Sequence, residues 1–102
     1  MAIFRLRFHP GFITQLEAAI TYYSEKSGSI GNRFKQATAK ELALLKKNPL
    51  ARSKRYDDIR FARIDKFPYA IHYSVDALNN EVLIHSLLND HQDPDKNWGK
   101  RI

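Results

Sequence analysis

The sequence contains no cysteine, and its 102 residues include only four glycines and four prolines. Without cysteine, disulfide staples and thiolate chemistry are excluded, and a reducing cytosol is the compartment that fits. So few glycines leave no Gly-rich loop to cradle a phosphate. No serine stands in a Gly-x-Ser-x-Gly elbow, so nucleotide-dependent and serine-nucleophile chemistry find no support. No segment approaches the roughly 18–20 apolar residues needed to span a bilayer. The opening "MAIFRLRFHPG" alternates Ile3, Leu6 and Phe8 with Arg5 and Arg7, unlike the apolar run of a signal peptide. These absences predict a cytoplasmic protein with no membrane partner. No His or Asp spacing matches a dedicated zinc pattern; His91 and Asp93 are near neighbours, but His72 or His85 joins them only if the tail folds back. Neither metal nor cofactor is expected.

What is present fits one small domain over residues 1–102, with 43% hydrophobic and 27% charged residues, the balance of an ordinary globular chain. The net charge is +6, and its placement says more than its size. Lys46, Lys47, Arg52, Lys54, Arg55, Arg60, Arg63 and Lys66 are opposed only by Asp57, Asp58 and Asp65, so residues 46–66 carry +5 of that charge. A local basic belt of this kind attracts a polyanion or an acidic protein segment, or simply keeps a loop solvated.

The pattern of apolar residues predicts an α+β fold of order strand, helix, helix, strand, strand, strand. The first strand covers about Ile3–Phe8 and is closed by "HPG", with His9 in the turn as a cap or a solvent-facing residue. A helix follows over about Phe12–Lys26, with Phe12, Leu16, Ala19, Ile20 and Tyr23 as its apolar stripe. "SGS" breaks the chain and offers Ser29 as the N-cap of a second helix, which runs to about Lys47. Phe34, Ala37, Leu42 and Leu45 point inward, with Leu44 a further candidate. Two helices joined this closely form an antiparallel hairpin. The basic stretch 50–58 reads as a loop. Strands then cover about Ile59–Ile64, Pro68–Val75 and Glu81–Leu88, as a three-stranded antiparallel meander. An ordered or semi-ordered tail follows, polar apart from Trp98 and the last residue.

In "DKFPYAIHYSVD", Phe67, Tyr69, Ile71, Tyr73 and Val75 alternate with Pro68, Ala70, His72 and Ser74, so one set faces the core and the other the opposite face. If Ala77–Asn80 form the loop of the last hairpin, Val75 pairs with Val82, Tyr73 faces Ile84, and His72 stands opposite His85. Two imidazoles there, with Arg63 to hold a phosphate, would supply the base, acid and cation of metal-free RNA cleavage. The alternative is a plain binding face, with Arg52, Lys54, Arg55, Arg60, Arg63, His72 and Trp98 as contacts. Trp98 either pins the tail onto the sheet or anchors a partner.

"FHPGF", "AAITYYSEKSG" and "GNRFKQ", followed by "LLKKNPL", "IRFARIDKFPYAIHY" and "VLIHSLLNDHQDPDKNW", match in order and spacing the RelE/ParE superfamily of bacterial type II toxin–antitoxin systems. The chain resembles these plasmid-stabilisation toxins over nearly its whole length. The resemblance implies a growth-arresting toxin silenced by a cognate antitoxin, with operator DNA bound only through that antitoxin. RelE-like members cut mRNA on the ribosome; ParE-like members inhibit DNA gyrase, trapping its cleaved-DNA complex. Positions where the ribonuclease branch carries basic residues match Phe61, Arg63 and Ala70 here, and no tyrosine follows Tyr73. The resemblance therefore leans to a non-enzymatic ParE-like gyrase inhibitor. A ribosome-dependent endoribonuclease using Arg63, His72, His85 and His91 is the alternative, and a degenerate toxin that only binds its antitoxin is a second.

Overall fold

The computed structural model describes residues 3–89. Strand β1 (Arg5–Phe8) leads into α1 (Pro10–Lys26) and α2 (Gly28–Lys47). A 3-10 turn (Pro49–Ala51) then precedes β2 (Lys54–Tyr56), β3 (Ile59–Arg63), β4 (Tyr69–Asp76) and β5 (Glu81–Asn89). The α+β order predicted from sequence holds, with one addition: the basic stretch read as a loop contains β2. Its three residues are charged or aromatic, so no apolar alternation marks them. The sheet order is β1-β5-β4-β3-β2. β1 lies parallel to β5, as a helical crossover permits, and the other pairs are antiparallel. No helix among the described residues is long and apolar enough to cross a membrane.

The helices begin and end for local reasons. At α1, Pro10 takes the first turn, where its missing N–H costs nothing. The His9 side chain caps the helix, its Nδ1 accepting from the Gly11 N–H at 2.9 Å. A single residue joins the two helices. Ser27, not Ser29, caps α2: its Oγ accepts from the Ile30 N–H while its own N–H donates to the Tyr23 carbonyl at 3.0 Å. So short a link presses the helices together at Ser24 and Gly31. A Cβ on Gly31 would lie 2.2 Å from Ser24 Oγ and 3.0 Å from Ser24 Cα.

The hairpin packs on one face of the sheet. Phe12, Ala19, Phe34, Leu45, Ala62, Ile64, Ile71, Tyr73, Val82, Ile84 and Leu87 form the core. Tyr23 and Phe34 meet each other, Phe67 from the turn before β4 and Tyr69 from β4, with ring centroids 5.0–6.2 Å apart, tilted or edge-on. Each such pair contributes about 0.5–1.5 kcal/mol beyond its burial. Leu44 differs from the sequence expectation and is exposed, whereas Glu41 is buried in its place. Glu41 is tolerated because Arg52 forms an ion pair with it, and the carbonyl of Arg52 accepts in turn from Arg60. Beside them the Tyr73 hydroxyl donates to the Pro49 carbonyl at 2.7 Å.

Gly31→Ala is expected to destabilise the protein by about 1–3 kcal/mol, because the methyl must drive the Ser24 hydroxyl aside and press on the Ser24 Cα of the facing helix. Urea denaturation gives the difference, with Gly28→Ala as the comparison, since a Cβ there meets nothing within 4 Å.

Candidate functional site

The last hairpin turns over Ala77–Asn80, with Asp76 paired to Glu81 and its carboxylate accepting from the Asn79 N–H. Val75 pairs with Val82 and Tyr73 with Ile84, as the sequence predicts. One step further the register shifts, and His72 pairs with Ser86 instead of His85. Alternation explains the shift. Ile84 and Leu87 both lie in the helix-side core, three positions apart, which a regular strand cannot achieve. A β-bulge absorbs the extra residue and turns both His85 and Ser86 to the outer face. The expected His72–His85 pair is therefore not formed. A second register shift, between Lys54 and Tyr56, leaves Arg55 as the extra residue of β2. Arg55 and Tyr56 both meet Phe61 on the outer face.

That face carries a small aromatic cluster. Phe61 stacks on His72 with centroids 3.9 Å apart, and Tyr56 stands edge-on to Phe61 at 5.8 Å. The Tyr56 hydroxyl and His72 Nδ1 share a hydrogen bond of 3.2 Å. Ala70 and Leu88 are buried against Tyr56 and Phe61. The Arg55 guanidinium lies 4.8 Å from the Phe61 ring centre, a cation–π contact at the cluster's rim. Arg63, exposed, pairs across the ladder with Ala70. Of the residues singled out from sequence, Arg55, Arg63, His72 and, beyond the bulge, His85 thus share this face, though His72 is fully buried within it.

The others are placed differently. Arg60 pairs with Tyr73 in the ladder and lies on the helix side, its guanidinium spent on the Arg52 carbonyl. Arg52 is spent on Glu41, and Lys54 reaches Asp58 at 3.3 Å. The basic belt is therefore divided between internal bonding and surface. His91 and Trp98 lie outside the described residues. Sequence reasoning did not single out Tyr56, whose signal was the short "DD" turn before "IRFAR", nor Leu88.

His85 sits apart from the aromatic cluster. Its Nε2 shares a 2.8 Å hydrogen bond with Ser74 Oγ, and it lines a shallow pocket with Arg7, Phe8, His9 and Leu83. Burial, with a smaller contribution from the charge of His9, holds its imidazole below the ordinary value of 6.5. No three His, Cys, Asp or Glu side chains gather as a metal site among the described residues.

Because the folded chain binds this proton less readily than the unfolded chain, acid favours unfolding at His85. Stability present above pH about 6.5 is expected to fall as pH drops through the lower folded value. His85→Gln should lose less stability than the unaltered protein between pH 7.5 and 5, read as the shift in urea midpoint.

A family model described as the ParE toxin of the type II toxin–antitoxin system parDE matches residues 6–94. No curated protein matches the sequence. Among solved structures, the chromosomal ParDE system from P. aeruginosa superposes with a TM-score of 0.72 at 14% identity, covering 85% of this chain and 96% of that one. The RelBE2 toxin–antitoxin complex from Mycobacterium tuberculosis gives 0.57 at 18% identity, covering 86% and 99%. The archaeal RelE–RelB complex from Pyrococcus horikoshii OT3 gives 0.55 at 16%, covering 88% and 98%. At such identities the structural likenesses speak for the fold, and the family model speaks for descent. With nearly all of the described domain inside the matched span, the chain belongs to the ParE toxin family of type II toxin–antitoxin systems.

Proposed function

We propose that this ParE-family toxin acts by binding DNA gyrase and inhibiting it without chemistry of its own, and that a cognate antitoxin keeps it silent. The observation that carries the reading is the Tyr56–Phe61–Ala70–Leu88 cluster. Two of its members, Phe61 and Ala70, stand at positions where the resemblance places the basic residues of a ribonuclease, and of the three matching positions only Arg63 is basic. Phe61 and Ala70 can neither hold a phosphate nor move a proton. An aromatic patch rimmed by Arg55 and Arg63 has instead the composition of a protein-binding hot spot, where aromatic and Arg side chains dominate the energy.

The placement of the histidines supports the same conclusion. His72 is shielded between Phe61 and Tyr56, and His85 bonds to Ser74 beyond the bulge. An acid and a base for one reaction need a common substrate position within hydrogen-bond reach of both. The paired arrangement that would have offered one is absent from the ladder. The antitoxin follows from kinship: the P. aeruginosa, M. tuberculosis and P. horikoshii relatives come from toxin–antitoxin systems. A partly disordered antitoxin with an acidic segment would suit this chain's net charge of +6.

Purified toxin at micromolar concentration is expected to block supercoiling by the host's gyrase, or to leave cleaved DNA, while mRNA on ribosomes stays intact. Phe61→Ala is expected to weaken inhibition about 30-fold, the loss typical of an aromatic hot spot, with circular dichroism confirming a native fold. Undisturbed supercoiling with the folded protein would overturn the proposal. If mRNA is cut at ribosomes instead, the ribonuclease alternative with Arg63 and the histidines takes its place. If neither target responds, the chain is a binding module for its antitoxin.

A further inference from the structure

Helix α2 carries a further group of cations, and two of them, Lys46 and Lys47, belong to the basic belt. Arg33, Lys35, Lys40, Lys46 and Lys47 are all exposed on this helix, and its one acid, Glu41, is buried against Arg52. No ion pair among the described residues engages any of the five cations. Arg33, Lys40 and Lys47 follow one another at intervals of seven residues. Seven residues turn an α-helix to within about 20° of two full turns, so the three form a nearly straight row. At 1.5 Å per residue the row is about 21 Å long, with its charges about 10.5 Å apart. Beside it, Lys66 lines a groove with Arg33, Gln36 and Lys40, where Asp65 is the only carboxylate.

We propose that this row on α2 is a second binding surface, one that grips the sugar–phosphate backbone of duplex DNA independently of base sequence. Three observations select this occupant. The row is straight and evenly charged, and the domain's isoelectric point is about 9.7, which together form the electrostatic footprint of a nucleic-acid contact. Leu44, at 43% exposure, is the one large apolar side chain well exposed on α2, and the apolar lining of the groove, Ile30, Ala37 and Phe67, is half-buried beneath the cations, whereas a protein partner needs an exposed, clustered anchor. Finally, duplex DNA presents one charge per about 1.7 Å of its axis, dense enough that each side chain in the row finds a phosphate. The surface lies on the helix layer, opposite the Tyr56–Phe61 cluster, and does not depend on the gyrase reading. It also departs from the expectation that DNA is met only through an antitoxin.

The test is fluorescence anisotropy of the whole protein, without gyrase, on a mixed-sequence 20-base-pair duplex at 50–200 mM KCl. Each phosphate contact adds about −0.9 to the slope of log K against log salt. Arg33→Ala/Lys40→Ala/Lys47→Ala should therefore make the slope shallower by about 2.7, removing roughly 40-fold of the weakening between 50 and 200 mM. Alanine favours a helix, so the variant keeps its fold, as circular dichroism should confirm. Arg5→Ala/Arg7→Ala/Lys26→Ala removes the same formal charge elsewhere and should leave the slope nearly unchanged. Equal effects from both triple variants would reduce the binding to net charge and overturn the proposal, as would no effect from the α2 variant. Tighter binding of a single-stranded 20-nucleotide RNA through the same three residues would overturn the assignment to duplex DNA.

Discussion

The ion pair between Glu41 and Arg52 decides more of this molecule than any other single contact. An isolated carboxylate on the buried side of α2 would be costly, since burial strips its hydration. Arg52 relieves that cost, and in doing so fixes where the chain goes after the helix. The 3-10 turn is held by the Tyr73 hydroxyl at Pro49, and the Arg52 carbonyl is held by Arg60. Four side chains from α2, the turn, β3 and β4 thus set the start of β2. A buried pair of this kind adds little net stability, because desolvation offsets most of the attraction. Its contribution here is position. It also spends the only acid of α2 and two of the cations in the basic belt, which leaves the outer surface of that helix uniformly positive.

Position matters because the outer face of the sheet is assembled from irregularities. A regular five-stranded sheet alternates its side chains, and each strand presents every second residue. The bulges at Arg55 and His85 break that rule in the same direction, each adding a side chain to the face without helices. The first brings Arg55 and Tyr56 together onto Phe61. The second turns His85 toward Ser74 and leaves Ser86 opposite His72. Without them Arg55 would stand alone beside Phe61, and the two histidines would face each other as an acid–base pair. The face is therefore aromatic around Phe61, with its two histidines out of register, and the cause is strand register as much as residue type.

The parts legible in the sequence are those that alternation and helical spacing encode directly. The order of elements, the apolar stripe of α1, the inward set from Phe67 to Val75, and the pairing of Tyr73 with Ile84 all follow from apolar spacing. The bulge at His85 did not show, because "HS" is polar at both positions and a shift between them changes no hydrophobic pattern. β2 did not show because "KRY" has the composition of a solvated loop. The cap fell on Ser27, since a link of one residue between helices is shorter than "SGS" suggests. Glu41 and Arg52 stand eleven residues apart, and nothing in their spacing says that one is buried and the other its partner. Charge counted along the chain identified a basic belt, but folding chose which of its members remain available.

That choice gives the molecule two surfaces of different character on opposite layers. The sheet side offers aromatic rings with a guanidinium over Phe61 and an exposed Arg63, a composition that gains energy by excluding water from a protein partner. The α2 side offers separated charges with a single half-exposed leucine, a composition that gains energy by releasing counterions from a polyanion. The two driving forces differ in their response to salt, since high ionic strength weakens the second and scarcely touches the first. A chain so small can carry both because the helical hairpin separates them by a full layer of core, from Phe12 and Phe34 through Ile71 and Tyr73. Neither surface borrows an exposed residue from the other, though both rest on the buried Glu41–Arg52 pair that joins α2 to the start of β2.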